Sequence, residues 1–106
     1  MNVLIVDDEA IVRIGIRSCI DWQDAGFDLV WDASNGAKAM DIVKSKPVDI
    51  VITDIKMPVM DGLELIAKIR QGSYDVAIIV LSSYNDFAMV KQALLDGADE
   101  YLIKLS

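Results

Sequence analysis

Acids, a hydroxyl and an amine end the apolar runs of this chain. The run NVLIV, residues 2–6, stops at Asp7-Asp8, and DIVIT, residues 49–53, stops at Asp54. VAIIVL, residues 76–81, stops at Ser82, and the short run Tyr101–Ile103 stops at Lys104. If these ends meet, three carboxylates within ~5 Å repel pairwise by roughly 3 kcal/mol at an effective dielectric of about 20. Such a group either holds protons at raised, coupled pKa values or binds a hard divalent cation. A few carboxylates that leave water positions open suit Mg²⁺. Lys104 reduces the repulsion but leaves the cluster net negative, which favours the cation. A cation beside a carboxylate and an ammonium can neutralise phosphoryl oxygens. An ionised Asp can be the nucleophile and form an acyl phosphate. Asp54 is the best candidate, since it ends a central strand between the other groups, and Ser82 could hydrogen-bond a phosphoryl oxygen.

The elements that must bring these residues together follow from periodicity. Residues 2–6, 28–33, 49–54, 76–81 and 101–103 read as strands, several of them apolar on both faces as central parallel strands are. Between them lie four helical patterns. The first, residues 9–20, has Ile11/Val12, Ile16 and Cys19/Ile20 on one face. The second, Ala37–Lys44, turns Met40 and Val43 inward, with Ser34-Asn35-Gly36 as turn or cap. The third, Gly62–Arg70, carries Leu63, Ile66 and Ile69 on one side and ends at Gly72-Ser73. The fourth, Asp86–Leu95, has Asp86 as a cap and Gly97 just past its end. Strict alternation predicts an α/β parallel sheet with right-handed crossovers and helices on both faces. In such a sheet ligands bind outside the carboxyl ends of the strands.

With 106 residues, 54 % of them hydrophobic, one domain with a real core is expected. A net charge of −7 without any His argues against a nucleic-acid surface, which needs a basic face, and against an anionic membrane. No run approaches the ~20 apolar residues of a membrane span, and MNVLIVDDEA lacks the features of a signal peptide. The lone cysteine, Cys19, is read as core. A cytoplasmic location is the expectation.

Four blocks, LIVDDE, DIVITDIKMPVMDG, VLSSYND and GADEYLIK, in that order and spacing, cover essentially the whole chain. Together they resemble the receiver domain of bacterial two-component response regulators. The resemblance implies a flavodoxin-like (CheY-like), doubly wound five-stranded parallel sheet of order 2-1-3-4-5 across residues 1–106. It implies that Asp54 is the phospho-acceptor and that Asp7 and Asp8 hold Mg²⁺, with the Lys56 backbone carbonyl as a further ligand. Ser82 matches the switch hydroxyl, Tyr101 the switch aromatic and Lys104 the family's lysine. Lys56 and Tyr84, beside acceptor and hydroxyl, would tune the phosphate lifetime. A sensor histidine kinase would supply the phosphoryl group, and the domain would help to load and slowly lose it without turning over small molecules. The stretch RSCIDWQDAGFDLVWDASNGAKAM resembles receivers joined to AraC-type DNA-binding domains, which implies an output domain that controls transcription. The family's fourth helix and fifth strand also offer a homodimer surface.

Two departures stand out. Lys104 is followed by Leu105 where the family usually has Pro, so a trans bond is expected there. The family's fifth helix is missing from this chain, which predicts bare apolar surface and a C-terminally truncated domain, or a second copy covering the gap. Two other functions share parts of the pattern. Phosphoaspartyl hydrolases of the haloacid dehalogenase kind need a second acid two residues after the nucleophile, and here that residue is Lys56. A phosphate-independent binding module would usually have lost an acid or the lysine, and none is lost. The bland readings are that Asp7-Asp8 cap the first helix, Asp54 and Ser82 are strand-end residues with local bonds, and Lys104 is merely solvated.

Overall fold

A computed structural model describes residues 1–83 and 86–104. Tyr84 and the Lys104–Leu105 bond lie outside the described residues. Nine elements alternate along the chain: β1 (Asn2–Val6), α1 (Ala10–Cys19), β2 (Leu29–Ala33), α2 (Gly36–Ser45), β3 (Ile50–Asp54), α3 (Gly62–Gln71), β4 (Ala77–Ser82), α4 (Phe87–Leu95) and β5 (Glu100–Ile103). The strands form one sheet in the order β2-β1-β3-β4-β5, and every neighbouring pair is parallel. This is the CheY-like flavodoxin arrangement, with the order reversing between β1 and β3.

Register sets the height of the strand ends. Val6 pairs with Thr53, Asp54 with Leu81, and Ser82 with Ile103. The residues that follow β1 and β5, Asp7 and Lys104, therefore emerge level with Asp54 and Ser82 on one rim. The pleat then decides which face each side chain takes. Val51, Ile78 and Val80 belong to a core with Leu65, Ile66 and Ile69 of α3 and Val90 and Ala93 of α4. Ile50, Ile52 and Asp54, at alternate positions, take the other face and are only half-buried. Leu65 is fully buried whereas Leu63, the expected core residue, is only partly so. The reason is that α3 packs against both α2 and α4, so its buried face is wider than a single stripe.

The core reading of Cys19 does not hold: its thiol is exposed. On the far side of the sheet α1 rests on β1 and contributes no fully buried residue. Among the described residues its substantial contacts are with β1, and Ile11, Ile14 and Ile20 are exposed with Cys19. A second apolar surface runs over α4 and β5, where Phe87, Leu95, Leu102 and Ile103 are exposed. The β5 strand is tied down by Arg70, which donates to the carbonyls of Gly97 and Val76 at 3.0 and 2.9 Å and to Asp99 Oδ2 at 3.0 Å. Among the described residues no helix is long and apolar enough to cross a membrane.

Candidate functional site

The rim places Asp7, Asp54 and Lys104 in direct contact. Asp7 is wholly buried, with Oδ1 accepting from the Glu9 amide at 2.9 Å and Oδ2 accepting from Lys104 Nζ at 2.9 Å. Asp54 Oδ1 accepts from the Ile55 amide at 2.8 Å, and its Oδ2 lies 3.1 Å from the same ammonium. Lys104 is aimed there by sheet geometry, since its backbone amide continues the β4–β5 ladder by donating to the Ser82 carbonyl at 2.7 Å. It is thus not a merely solvated lysine. Neither Asp7 nor Asp8 holds the N-cap position of α1: Glu9 does, without a side-chain cap bond of its own, and Asp7 reaches that end only through the Glu9 amide. Asp8 completes an acidic trio with Asp7 and Asp54, whose nearest oxygens lie within 4.8 Å of one another.

Electrostatics follow from burial and from the Lys104 ammonium. Burial pushes the Asp54 carboxyl above its ordinary range, only partly offset by the Lys104 hydrogen bond and charge, with Asp7 adding to the upward push. Burial works against the charge on Lys104, but hydrogen bonds to Asp7 and Asp54 overcome it and hold the ammonium above its usual range. One ammonium among three acids leaves a negative, oxygen-lined site. Such a donor set fits a hard divalent cation and has none of the nitrogen or sulfur that softer metals select.

A cleft of about 550 Å³ opens over these groups, lined by Asp8, Glu9, Val12, Asp54, Lys56, Ser83, Asp86 and Lys104. Ser82 does not line it. Its buried side chain faces the α4 side, where it borders a cavity of about 60 Å³ with Ser83, Phe87, Val90, Tyr101 and Ile103. The two switch candidates therefore share one compartment next to the acidic cleft. Four residues of the cleft were not site candidates from the sequence: Glu9, Val12, Ser83 and Asp86. The expected capping role of Asp86 fails. It stands at the α4 N-cap position but makes no side-chain cap bond. Instead Oδ2 accepts from the Ser83 hydroxyl at 2.8 Å and Oδ1 lies 3.0 Å from Lys56 Nζ. These two partners, Ser83 first, hold its carboxyl below the usual range.

The β3–α3 loop holds Asp54 from below. The Gly62 amide donates to the Ile55 carbonyl at 2.7 Å, and a Cβ on Gly62 would collide with the Asp54 carbonyl oxygen and stand 2.9 Å from Ile55 Cα. Both obstacles are backbone. Gly62→Ala is expected to lower stability by about 1–3 kcal/mol through overpacking and to shift the backbone under the acid. Urea unfolding checks the first effect. A wild-type midpoint would show that the loop yields freely. Asp61 starts α3 by accepting from the Glu64 amide at 2.9 Å, and the loop also rests on α2, where Gly36 donates to the Met60 carbonyl at 2.9 Å.

Comparison with known proteins is consistent with this geometry. The profile of the response regulator receiver domain matches residues 3–106. The chain is 43 % identical over 103 residues to the uncharacterized transcriptional regulatory protein YesN of Bacillus subtilis, covering 97 % of this chain and 28 % of YesN. It is 36 % identical over 103 residues to the transcriptional regulatory protein HptR of Staphylococcus aureus, covering 97 % and 40 %. The chain thus spans less than half the length of these curated relatives. Among solved structures, the REC domain of AraT, a response regulator from Geobacillus stearothermophilus, superposes with a TM-score of 0.89 at 37 % identity, covering 99 % of this chain and 81 % of that one. The receiver domain of Saccharomyces cerevisiae Ssk1, crystallised with the histidine phosphotransfer signaling protein Ypd1, gives 0.84 at 29 % identity, covering 98 % and 78 %.

Proposed function

The chain belongs to the response regulator receiver domain family of two-component phosphorelay signalling, and on that premise we propose that Asp54 is its phospho-acceptor. The observation that carries this reading is the pairing of Asp54 Oδ2 with Lys104 at the floor of an open acidic cleft. One oxygen of Asp54 is occupied by the Ile55 amide. The other faces the cleft and is the nucleophile. It attacks the phosphorus of a phosphohistidine, the P–N bond breaks, and the departing imidazole takes up a proton. The product is an acyl phosphate on Asp54. Lys104 then neutralises one phosphoryl oxygen.

Asp7, Asp8, Asp54 and the Lys56 carbonyl would hold Mg²⁺, which supplies charge neutralisation at the phosphoryl oxygens when bound. The all-oxygen donors and the net negative charge support that choice of cation. The phosphoryl group adds about −1.5 to −2 charge and three acceptor oxygens. Ser82 turns toward them, and Tyr101, now 41 % exposed, swings into the cavity that both residues border. The α4 helix shifts in response.

The donor is a sensor histidine kinase in the cytoplasm. The co-crystal of a related receiver with a histidine phosphotransfer protein supports a phosphohistidine donor. Residues 1–106 form the receiver part of a longer transcription regulator, as the names and lengths of the relatives support, with an output domain of AraC type. The exposed apolar residues of α4 and β5 suit a homodimer. The direct test is incubation with acetyl phosphate and Mg²⁺, read by intact mass. The expected result is a gain of one phosphoryl group, and no gain when chelator replaces Mg²⁺. A chain that gains nothing overturns the reading.

A further inference from the structure

One polar bridge crosses the mouth of the cleft, from the loop after β3 to the start of α4. Lys56 Nζ lies 3.0 Å from Asp86 Oδ1, and the Ser83 hydroxyl donates to Asp86 Oδ2 at 2.8 Å. The two ends differ in exposure. The Lys56 side chain is 66 % exposed while that of Asp86 is 9 % exposed, so the lysine is the end free to move. Asp86 holds the N-cap position of α4 yet gives its helix no side-chain cap. Both carboxylate oxygens serve the bridge instead. The helix behind it is lightly anchored, with only Val90 and Ala93 buried. Lys56 also lines the cleft that Asp54 lines, and a four-carbon stem lets its ammonium sweep that space as a mobile point charge.

We propose that the Lys56–Asp86 pair is an electrostatic latch that holds the start of α4 in its unloaded position and opens when an anionic phosphoryl group on Asp54 draws Lys56 away. This rests on Asp54 as the phospho-acceptor. The competition is for one ammonium: Lys56 serves Asp86 or the phosphoryl oxygens. Opening releases Asp86 to solvent or to cap its own helix, and the first turn of α4 loosens. Coupling of this kind is reciprocal. The latch must weaken anion binding as much as the anion weakens the latch.

Reciprocity gives the two ends of the bridge different signatures. Asp86→Asn keeps a hydrogen-bonding group for Ser83, releases the latch and leaves Lys56 for the anion. Lys56→Ala releases the latch and removes the ammonium. The probe is beryllium trifluoride with Mg²⁺, a non-covalent stand-in for the phosphoryl group, titrated onto the whole chain at low salt by fluorine NMR. Asp86→Asn is expected to bind it about threefold tighter than wild type, the size suited to a pair whose lysine end is exposed to solvent. In the Lys56→Ala background the same substitution should change binding by less than about 1.5-fold, because only a general field effect remains. Amide exchange supplies a second readout. In the unloaded chain, exchange at the first turn of α4 should quicken in both single variants, and in wild type it should quicken on adding the anion. Equal gains from Asp86→Asn in both backgrounds, or no gain in either, overturn the latch while leaving Asp54 as acceptor. A wild type that binds no beryllium trifluoride overturns the Asp54 reading and the latch with it.

Discussion

Asp54→Asn ends phosphoryl loading. With acetyl phosphate and Mg²⁺ the wild type gains one phosphoryl group and the variant gains none, a fall of at least about 100-fold in the initial rate. The amide is nearly isosteric with the carboxylate. Its oxygen still accepts from the Ile55 amide, so the backbone at the end of β3 keeps its course. What disappears is the anionic oxygen 3.1 Å from Lys104, and an amide has no lone pair of comparable nucleophilicity to offer phosphorus. Stability separates this loss from misfolding. Burial raises the Asp54 pKa in the folded chain. For an acid raised on folding, the folded state binds more protons than the unfolded one, and stability falls as pH climbs from the ordinary carboxylate range through the folded value. Once ionised, Asp54 therefore strains the unloaded domain. Without metal, Asp54→Asn is expected to melt no lower than wild type. A variant that still gains the phosphoryl mass shows that another side chain is the acceptor.

The part of the fold that local chemistry dictates was readable from the chain. Apolar runs of three to six residues alternate with four-residue spacings, and that pattern fixes nine elements within a residue or two at each end. The lateral order of the strands is different. Nothing in the periodicity of residues 50–54 says that β3 lies beside β1 rather than β2, and the order came from the resemblance carried by the four motif blocks. At the site, Asp7, Asp8, Asp54 and Lys104 were readable because each ends an apolar run, and a parallel sheet collects such ends on one rim. Asp86 was misread for a physical reason. An acid at the start of a helix usually caps it, and only the fold reveals a lysine from another loop bidding for the same carboxylate. Ser82 and Ser83 are adjacent and chemically identical. The pleat turns Ser82 under α4, while Ser83 borders both that cavity and the cleft, and a one-residue shift in strand register would turn Ser82 to the other face. Cys19 failed because its exposure is a property of what packs beside α1, which its apolar sequence neighbours do not encode.

Lys104→Met removes the ammonium and keeps most of the apolar stem, so its effect isolates charge from packing. In chelator the variant is expected to lose about 3 kcal/mol of stability, measured by urea unfolding. Asp7 is the reason. It is wholly buried, and Lys104 is the charge partner of its Oδ2. Breaking a buried pair from one side leaves a desolvated charge and typically costs about 3–5 kcal/mol. The Lys104 side chain is 26 % exposed and that of Asp54 15 %, so water screens part of the loss and the lower end applies. Adding Mg²⁺ then distinguishes this cause from lost packing. The variant rim is more negative than the wild-type rim by one charge, and a cation held by Asp7, Asp8 and Asp54 replaces the missing ammonium. Mg²⁺ should therefore stabilise Lys104→Met more than it stabilises wild type and recover a large part of the deficit. Phosphoryl loading should stay impaired even at saturating Mg²⁺, because the phosphoryl oxygen assigned to Lys104 loses the ammonium that the sheet holds beside Asp54 Oδ2. A stability change within about 0.5 kcal/mol of wild type, the ordinary result for a surface substitution, would mean that the buried Asp7 charge does not depend on Lys104. An equal response of both proteins to Mg²⁺ would remove the three acids as its binding site.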